Sequence, residues 1–252
     1  MKKDTIYYDF DDTLIPGDSI LYWKRFYFKK RPKMRIFQLL SLIGILGFIL
    51  RFINSETLKK IFLIPICYES RDSLESLAKD FVQEELIPRL YEDVLDQLTR
   101  QCEESNKVVI ISASPYFYLK HLSKHLVGVK IVGTKLEFPN KGLFRYPKFS
   151  SKWGNMKGQN KVNFILSDEI ASYTGSRTYG YSDSTADLPL LNFVDIPTVI
   201  NPDQKLRKNA LKNNWKIMMP KDAPSSFESN FMKILTLILD AGYWPKKSNF
   251  KL

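Results

Sequence analysis

The segment Tyr7-Tyr8-Asp9-Phe10-Asp11-Asp12-Thr13-Leu14 constrains this chain more than any other. A short apolar run, Ile6 to Tyr8, stops on two carboxylates spaced i, i+2 and then a threonine. Aspartate is a poor strand former. A buried strand that ends on it leaves charge at the carboxyl edge of a sheet, where open α/β folds build their sites. One such carboxylate can attack phosphorus while its neighbour carries protons and a divalent cation screens both. The plainer reading of the segment by itself is a strand ending in an Asp-rich turn.

The rest of the chain supplies the fold that such a strand needs. Brief runs rich in Val, Ile and Tyr predict strands over 5–9, 107–111, 129–133, 178–182 and 197–200, with a short one near 215–218. Helical spacing predicts helices over 73–86, 91–104, 115–126, 159–169, 204–213 and 228–241. This alternation implies an α/β protein: a Rossmann-like parallel sheet with right-handed crossovers and helices on both faces. Residues 15 to about 90 break the pattern, hold no convincing strand and read as helical throughout. The expected division is a core of 1–16 and 91–222, an inserted all-helical cap of 17–90, and a C-terminal helix and tail of 223–252. Residues 137–144 read as a β-hairpin turning at Asn140 to Gly142.

At 252 residues and 44% hydrophobic content, the chain can bury a full core. Its net charge of +11 favours an anionic partner: nucleic acid, an anionic membrane surface or phosphorylated substrates. No RNP, helix-turn-helix or finger pattern accompanies that charge, so no specific nucleic acid is expected. Cys67 and Cys102 lack metal-like spacing, which fits a reducing compartment. No secretory segment precedes the first strand, and the expected location is cytoplasmic or at the inner face of the cytoplasmic membrane. His121 and His125 stand at i, i+4, but no third ligand follows at zinc-like spacing, and a solvated helix face is the better reading.

Three further segments bear on the first. The strand from Lys107 ends in Ser112-Ala113-Ser114-Pro115 before a helix, where a hydroxyl beside free N–H groups suits a phosphate oxygen, or is simply a cap. Lys161 opens an amphipathic helix, an unfavourable place for a cation unless an anion sits there. The strand from Thr178 ends at Ser182-Asp183, with Asp187 four residues on. In order and spacing these four segments resemble the motifs of the haloacid-dehalogenase (HAD) superfamily, in the subfamily that includes phosphoserine phosphatase. The resemblance covers residues 5 to about 218. It implies a Mg²⁺-dependent phosphomonoesterase with Asp9 as nucleophile and Asp11 as general acid/base. It implies Ser112 and Lys161 on the transferring phosphoryl group. It also implies Mg²⁺ on Asp9, Asp183 and the backbone carbonyl of Asp11, with Asp187 in support. Asp12 and Ser182 depart from the family, which usually has Gly at the first of these and often at the second.

Residues 24–35 carry seven basic side chains and no acidic one, and an apolar run from Ile36 to Leu50 follows. A basic cluster beside an apolar run is the pattern of an anionic-membrane contact. At about 15 residues the run falls short of a span. A buried lid helix, an interfacial helix and a short spanning or re-entrant helix all remain open. This lid, with the Gly180 to Ser184 stretch, also resembles phosphatidylglycerophosphatase C. That likeness implies a membrane phospholipid phosphate as substrate; a small soluble ester such as phosphoserine is the alternative. A catalytically silent member of the superfamily is disfavoured because every motif residue is present.

Overall fold

A computed structural model describes residues 3–104, 106–139, 145–150, 152–167 and 177–224. The turn expected at Asn140 to Gly142, the helix expected over 228–241 and the end of the one expected over 159–169 lie outside the described residues.

Six strands form one parallel sheet: β1 (Thr5–Tyr8), β2 (Lys107–Pro115), β3 (Val129–Thr134), β6 (Thr178–Ser182), β7 (Ile196–Ile200) and β8 (Lys216–Met218). Their order is β3-β2-β1-β6-β7-β8. The chain thus builds outward from β1 in one direction and returns to build from it in the other. The switch point falls on the strand that ends in Asp9, where an open α/β sheet places its crevice. Alternation along the strands sorts side chains onto two apolar faces. Ile6, Tyr8, Val108 and Ile110 belong to one buried cluster, while Tyr7, Val109 and Ile111 belong to another with Val162 and Ile165. Both faces therefore require helices. Register sets Tyr8 opposite Tyr181, and their rings stack at 4.2 Å. Their hydroxyls are satisfied by Gln101 and Gln97 of α5 (Glu92–Glu103). A small antiparallel pair, β4 (Leu136–Glu137) and β5 (Lys148–Phe149), follows β3.

Between β1 and α5 the chain is helical, as expected. It contains α1 (Ser19–Lys30), α2 (Phe37–Ile49), α3 (Ser55–Leu63) and α4 (Arg71–Phe81), the last continuing through a wider turn to Leu86. Side chains of Asp18, Asn54 and Ser70 cap α1, α3 and α4 by accepting from free N–H groups of the first turn. Trp23 of α1 fastens this insertion to the sheet's helices. It meets Phe81 edge-on at 5.2 Å, and Phe117 and Tyr118 of α6 (Tyr116–Leu119) at 4.9 and 5.8 Å.

Several expectations need correction. β2 runs on to Pro115 rather than stopping at Ile111, with its register to β3 shifted between those residues. The helix expected over 115–126 is four residues of α6 followed by a tighter turn to Lys124. Helix α8 (Leu188–Phe193) was hidden by Pro189, which the first turn of a helix tolerates. The basic run is not wholly a surface cluster. Lys24 is buried over the Phe62 ring, Lys30 pairs with Glu84 at 2.8 Å, and Arg31 pairs with Glu69 at 3.0 Å. Nor is α2 a buried lid helix. Only Ser41, Gly44 and Ile45 are covered. With the turn before it, Pro32–Ile49 makes 18 helical residues, long and apolar enough by length and composition to cross a membrane.

Candidate active site

Asp9 continues β1 by one ladder bond, its N–H donating to the Tyr181 carbonyl at 2.9 Å. That bond fixes the carboxylate at the sheet edge, where it meets Lys161 from α7 (Gln159–Leu166). Lys161 Nζ lies 2.9 Å from Asp9 Oδ1 and 2.6 Å from Asp187 Oδ2, with the ammonium almost wholly buried. Gly158, at φ +56°, makes this approach possible. A Cβ there would stand 3.0 Å from the Ala186 carbonyl in a backbone conformation L-residues avoid. Ser182 Oγ donates to Asp187 at 2.9 Å. Ser182 thus steadies the acidic partner of Lys161. Burial alone would lower the Lys161 pKa, but Asp187 and Asp9 outweigh it and hold the ammonium above its usual value. Burial likewise pushes Asp187 up, and Lys161 and Ser182 overcome it, leaving that carboxylate below its usual value.

Asp11 is held differently. Oδ1 accepts from the Ser19 N–H at 2.8 Å, and Ser114 Oγ donates to Oδ2. Ser114 in turn shares a bond of 2.8 Å with Ser19 Oγ, which reaches the Tyr118 hydroxyl at 2.9 Å. Burial pushes the carboxyls of both Asp9 and Asp11 up to about 7. For Asp9 a facing ammonium opposes this; for Asp11 the opposing groups are neutral donors and Asp18 adds to the rise. Asp12 explains its own departure from glycine. It adopts φ +54°, and its Oδ1 accepts from the Gly17 N–H at 2.7 Å, which closes the turn that carries Asp11. Aspartate is among the few residues that visit this region.

Thr13 Oγ1 donates to Asp183 Oδ1 at 3.3 Å and accepts from the Asp183 N–H at 3.1 Å, tying the ends of β1 and β6 together. Ser112 is buried at the bend in β2, its Oγ accepting from the Ser114 N–H at 3.0 Å. Asp9, Asp11, Ser112, Lys161, Asp183 and Asp187 all line one cavity of about 330 Å³. All the site residues expected from the sequence are therefore brought together. The insertion closes the far side with Leu21, Phe48, Leu58, Lys59 and Phe62.

Lys59 was not foreseen. From α3 it reaches the core, its Nζ donating to the Ala113 carbonyl at 2.7 Å. Burial holds its pKa below the usual lysine value against the pull of Asp18 and Asp11. Ser114 and Asn155 were missed as well, and Thr13 was read only as the end of the first motif, without a role. Ser114 had a signal too, standing two residues after Ser112 on the same strand face; Asn155 had none. His121 corrects another expectation: it is buried, not on a solvated face, with Nε2 3.4 Å from Glu75.

The cavity lining bears six aspartates, Asp9, Asp11, Asp12, Asp18, Asp183 and Asp187, against three lysines, Lys59, Lys157 and Lys161. That excess of hard oxygen donors suits a divalent cation. Among the described residues no three His, Cys, Asp or Glu side chains form a ready metal cage. The side chain of Asp11 is turned instead to Ser114 and Ser19. A sparse set of two carboxylates and a backbone carbonyl fits Mg²⁺, which keeps waters and shares substrate oxygens.

Comparison with known proteins agrees with this geometry. The model of the haloacid dehalogenase-like hydrolase family matches residues 6–192. Histidinol-phosphatase of Neisseria meningitidis is 27% identical over 230 residues, covering 86% of this chain and 98% of that protein. A Bordetella pertussis protein of unknown function has the same fold, with a TM-score of 0.70 and 20% identity over 86% of this chain and 99% of its own. A probable phosphoserine phosphatase from Vibrio cholerae superposes with a TM-score of 0.63 and 11% identity, over 94% of this chain and 66% of its own. These relatives lend no support to the expected likeness to phosphatidylglycerophosphatase C. The acidic switch point, the lysine that faces it and the family match over three quarters of the sequence lead to one placement: the chain belongs to the haloacid dehalogenase-like hydrolases and is a phosphatase of phosphoric monoesters.

Proposed function

We propose that this phosphatase hydrolyses a small soluble phosphate ester through an aspartyl-phosphate on Asp9. The observation that carries the reading is Lys161, 2.9 Å from Asp9 and 2.6 Å from Asp187, beside Asp11 and Ser112 in one cavity. Lys161 favours the ionised form of Asp9 and is placed to neutralise a phosphoryl oxygen, while Ser112 offers a second contact. Asp9 attacks phosphorus in line as the bond to the leaving oxygen breaks. Asp11, whose raised pKa keeps a proton available near neutrality, gives that proton to the leaving alkoxide. It then takes one from the water that opens the aspartyl-phosphate. Asp9, Asp183 and the backbone carbonyl of Asp11 would hold Mg²⁺, which when bound screens the charge on the phosphoryl oxygens.

The substrate class follows from size and relatives. A cavity of about 330 Å³ sits at the small end of ligand pockets. The near full-length relative is named a histidinol-phosphatase. A phospholipid phosphate remains the second reading, favoured by one observation: Phe48, at the end of the exposed apolar helix α2, reaches the cavity mouth.

The test is phosphate release with Mg²⁺ from histidinol phosphate, phosphoserine and a micellar lipid phosphate, using wild type and Asp9→Asn. Turnover of a soluble ester that falls on the order of a thousandfold or more in Asp9→Asn, with circular dichroism unchanged, is expected. Turnover of the lipid phosphate alone would replace the first reading with the second. Substantial activity in Asp9→Asn would remove Asp9 from its role.

A further inference from the structure

Helix α2 is the most apolar element of the insertion and the least covered. One stripe of it, Ser41, Gly44 and Ile45, lies on α3. The approach is close: a Cβ on Gly44 would stand 3.1 Å from Ile61 Cδ1 and 3.3 Å from Leu58 Cδ1. The opposite face, Leu39, Leu42, Ile43, Leu46, Ile49 and Leu50, follows helical spacing and points outward, with Leu39 65% and Ile43 60% exposed. Apolar surface of this extent on a soluble protein marks a contact.

Charge decides which contact. Residues 19–55 contain eight Lys or Arg and no Asp or Glu. Of the eight, Arg25, Lys29, Lys33, Arg35 and Arg51 are exposed, the last four flanking the two ends of the apolar helix. Two copies meeting through this face would bring like charges together, whereas an anionic lipid surface answers both the rim and the face. The stripe on α3 also fixes how the helix lies. A helix fastened along its side cannot stand across a bilayer without leaving α3, but it can rest in the plane of one.

We propose that α2, with the turn before it, seats this phosphatase in the plane of an anionic lipid surface. Its exposed leucines and isoleucines enter the acyl–headgroup boundary, and Lys29, Lys33, Arg35 and Arg51 meet headgroup phosphates. Phe48 lines both the catalytic cavity and an outer cleft with Phe52 and Ile53, so docking sets the cavity mouth beside the interface. The inference does not depend on which ester is hydrolysed.

The experiment is flotation of the full-length chain, without detergent, with vesicles of phosphatidylcholine alone or of equimolar phosphatidylcholine and phosphatidylglycerol. Partition into the anionic vesicles, weakening as salt rises, is expected. Lys33→Gln with Arg35→Gln and Arg51→Gln should lower that partition on the order of a hundredfold. Leu39→Glu with Ile43→Glu should lower it by about tenfold or more, while hydrolysis of a soluble ester without vesicles stays at the wild-type rate. Partition indifferent to lipid charge, or unaltered in both variants, overturns the proposal. So does a wild-type dimer in sedimentation that Leu39→Glu with Ile43→Glu converts to monomer, since a second copy then owns the face. An environment-sensitive dye on Leu42→Cys, in a chain with Cys102→Ser, should shift to the blue only when anionic vesicles are added. A dye already shifted in their absence also overturns the proposal, because the chain then covers the face itself.

Discussion

Helices α1 and α2 are neighbours in one insertion and have opposite fates. Helix α1, Ser19–Lys30, is mixed in composition, with four Lys or Arg in twelve residues, and nine of the twelve are buried. Helix α2, Phe37–Ile49, has only Gln38 and Ser41 as polar side chains, and three of its thirteen residues are buried. Apolarity measures what a helix gains by being covered, not whether anything covers it. Helix α1 finds partners on several sides: Phe81 behind it, Phe117 and Tyr118 of α6 beneath it, and Phe62 beside Lys24. Helix α2 finds α3 along one stripe, and at its start Phe37 meets the Tyr68 ring at 5.4 Å.

The largest test of this contrast is Trp23→Ala. Trp23 is fully buried and touches rings from α1, α4 and α6, so its loss opens a cavity where the insertion meets the sheet's helices. The expected cost is about 3–5 kcal/mol in urea unfolding. A loss under about 1 kcal/mol would mean that α1 is no more an anchor than α2.

Composition and pattern carried the sheet and its acidic edge further than they carried this insertion. Strands β1, β2 and β6 are runs buried on both faces, and such runs announce themselves by composition. Asp9, Asp11 and Asp183 could be read because carboxylates end two separate buried strands, where a lone one would be no more than a turn. Lys161 needed the family resemblance, since a single lysine has no pattern. Lys59 and Asn155 had no signal at all. Their place in the cavity depends on how α3 folds back over β2, and on Thr134 Oγ1, which donates to the Ala113 carbonyl at 2.7 Å and lies 3.1 Å from Asn155 Oδ1. The burial of His121 was illegible for a similar reason, as Glu75 comes from α4. The run from Ile36 to Leu50 looks the same in sequence whether it is buried or bare. Only the position of α3 under one stripe separates the two.

A smaller test concerns the polar clamp that holds α1 to α4. Glu69 accepts from the Tyr27 hydroxyl and from Arg31 Nε, each at 3.0 Å, and from Ser73 Oγ. Burial pushes its carboxyl up, but the bonds from Ser73, Arg31 and Tyr27 outweigh this and leave the pKa below the ordinary 4.5. A depressed folded-state pKa contributes stability that is present above the unfolded value and is lost as pH falls through the folded one. Between wild type and Glu69→Gln, the stability difference should therefore be constant near neutrality and shrink below about pH 4.5. Thermal unfolding across that window measures it. A difference that stays level down to the acid end would show that the clamp does not depend on the charge of Glu69. Helix α2 has no such clamp among the described bonds, and no counterpart of this acid dependence is expected from substitutions on its outer face.

The smallest effect is expected from Leu46→Gln. Leu46 follows Ile45 in the chain, yet Ile45 is 3% exposed and Leu46 is 56% exposed. One residue of rotation separates the stripe held by α3 from the bare face. In solution Leu46 already gives most of its surface to water, so exchanging it for a polar side chain of similar length removes little burial. Glutamine also matches leucine closely in helix propensity. The change in unfolding free energy should stay within about 0.5 kcal/mol, in either direction. The same substitution removes apolar surface from the face assigned to lipid, so vesicle partition should fall while the urea midpoint stays put. Stability and binding would then separate at a single apolar position, which none of the nine buried residues of α1 allows, because their contacts belong to the core. A loss above about 1 kcal/mol would show that something covers Leu46 in the free protein, and the contrast between the two helices would then be one of partner rather than of exposure.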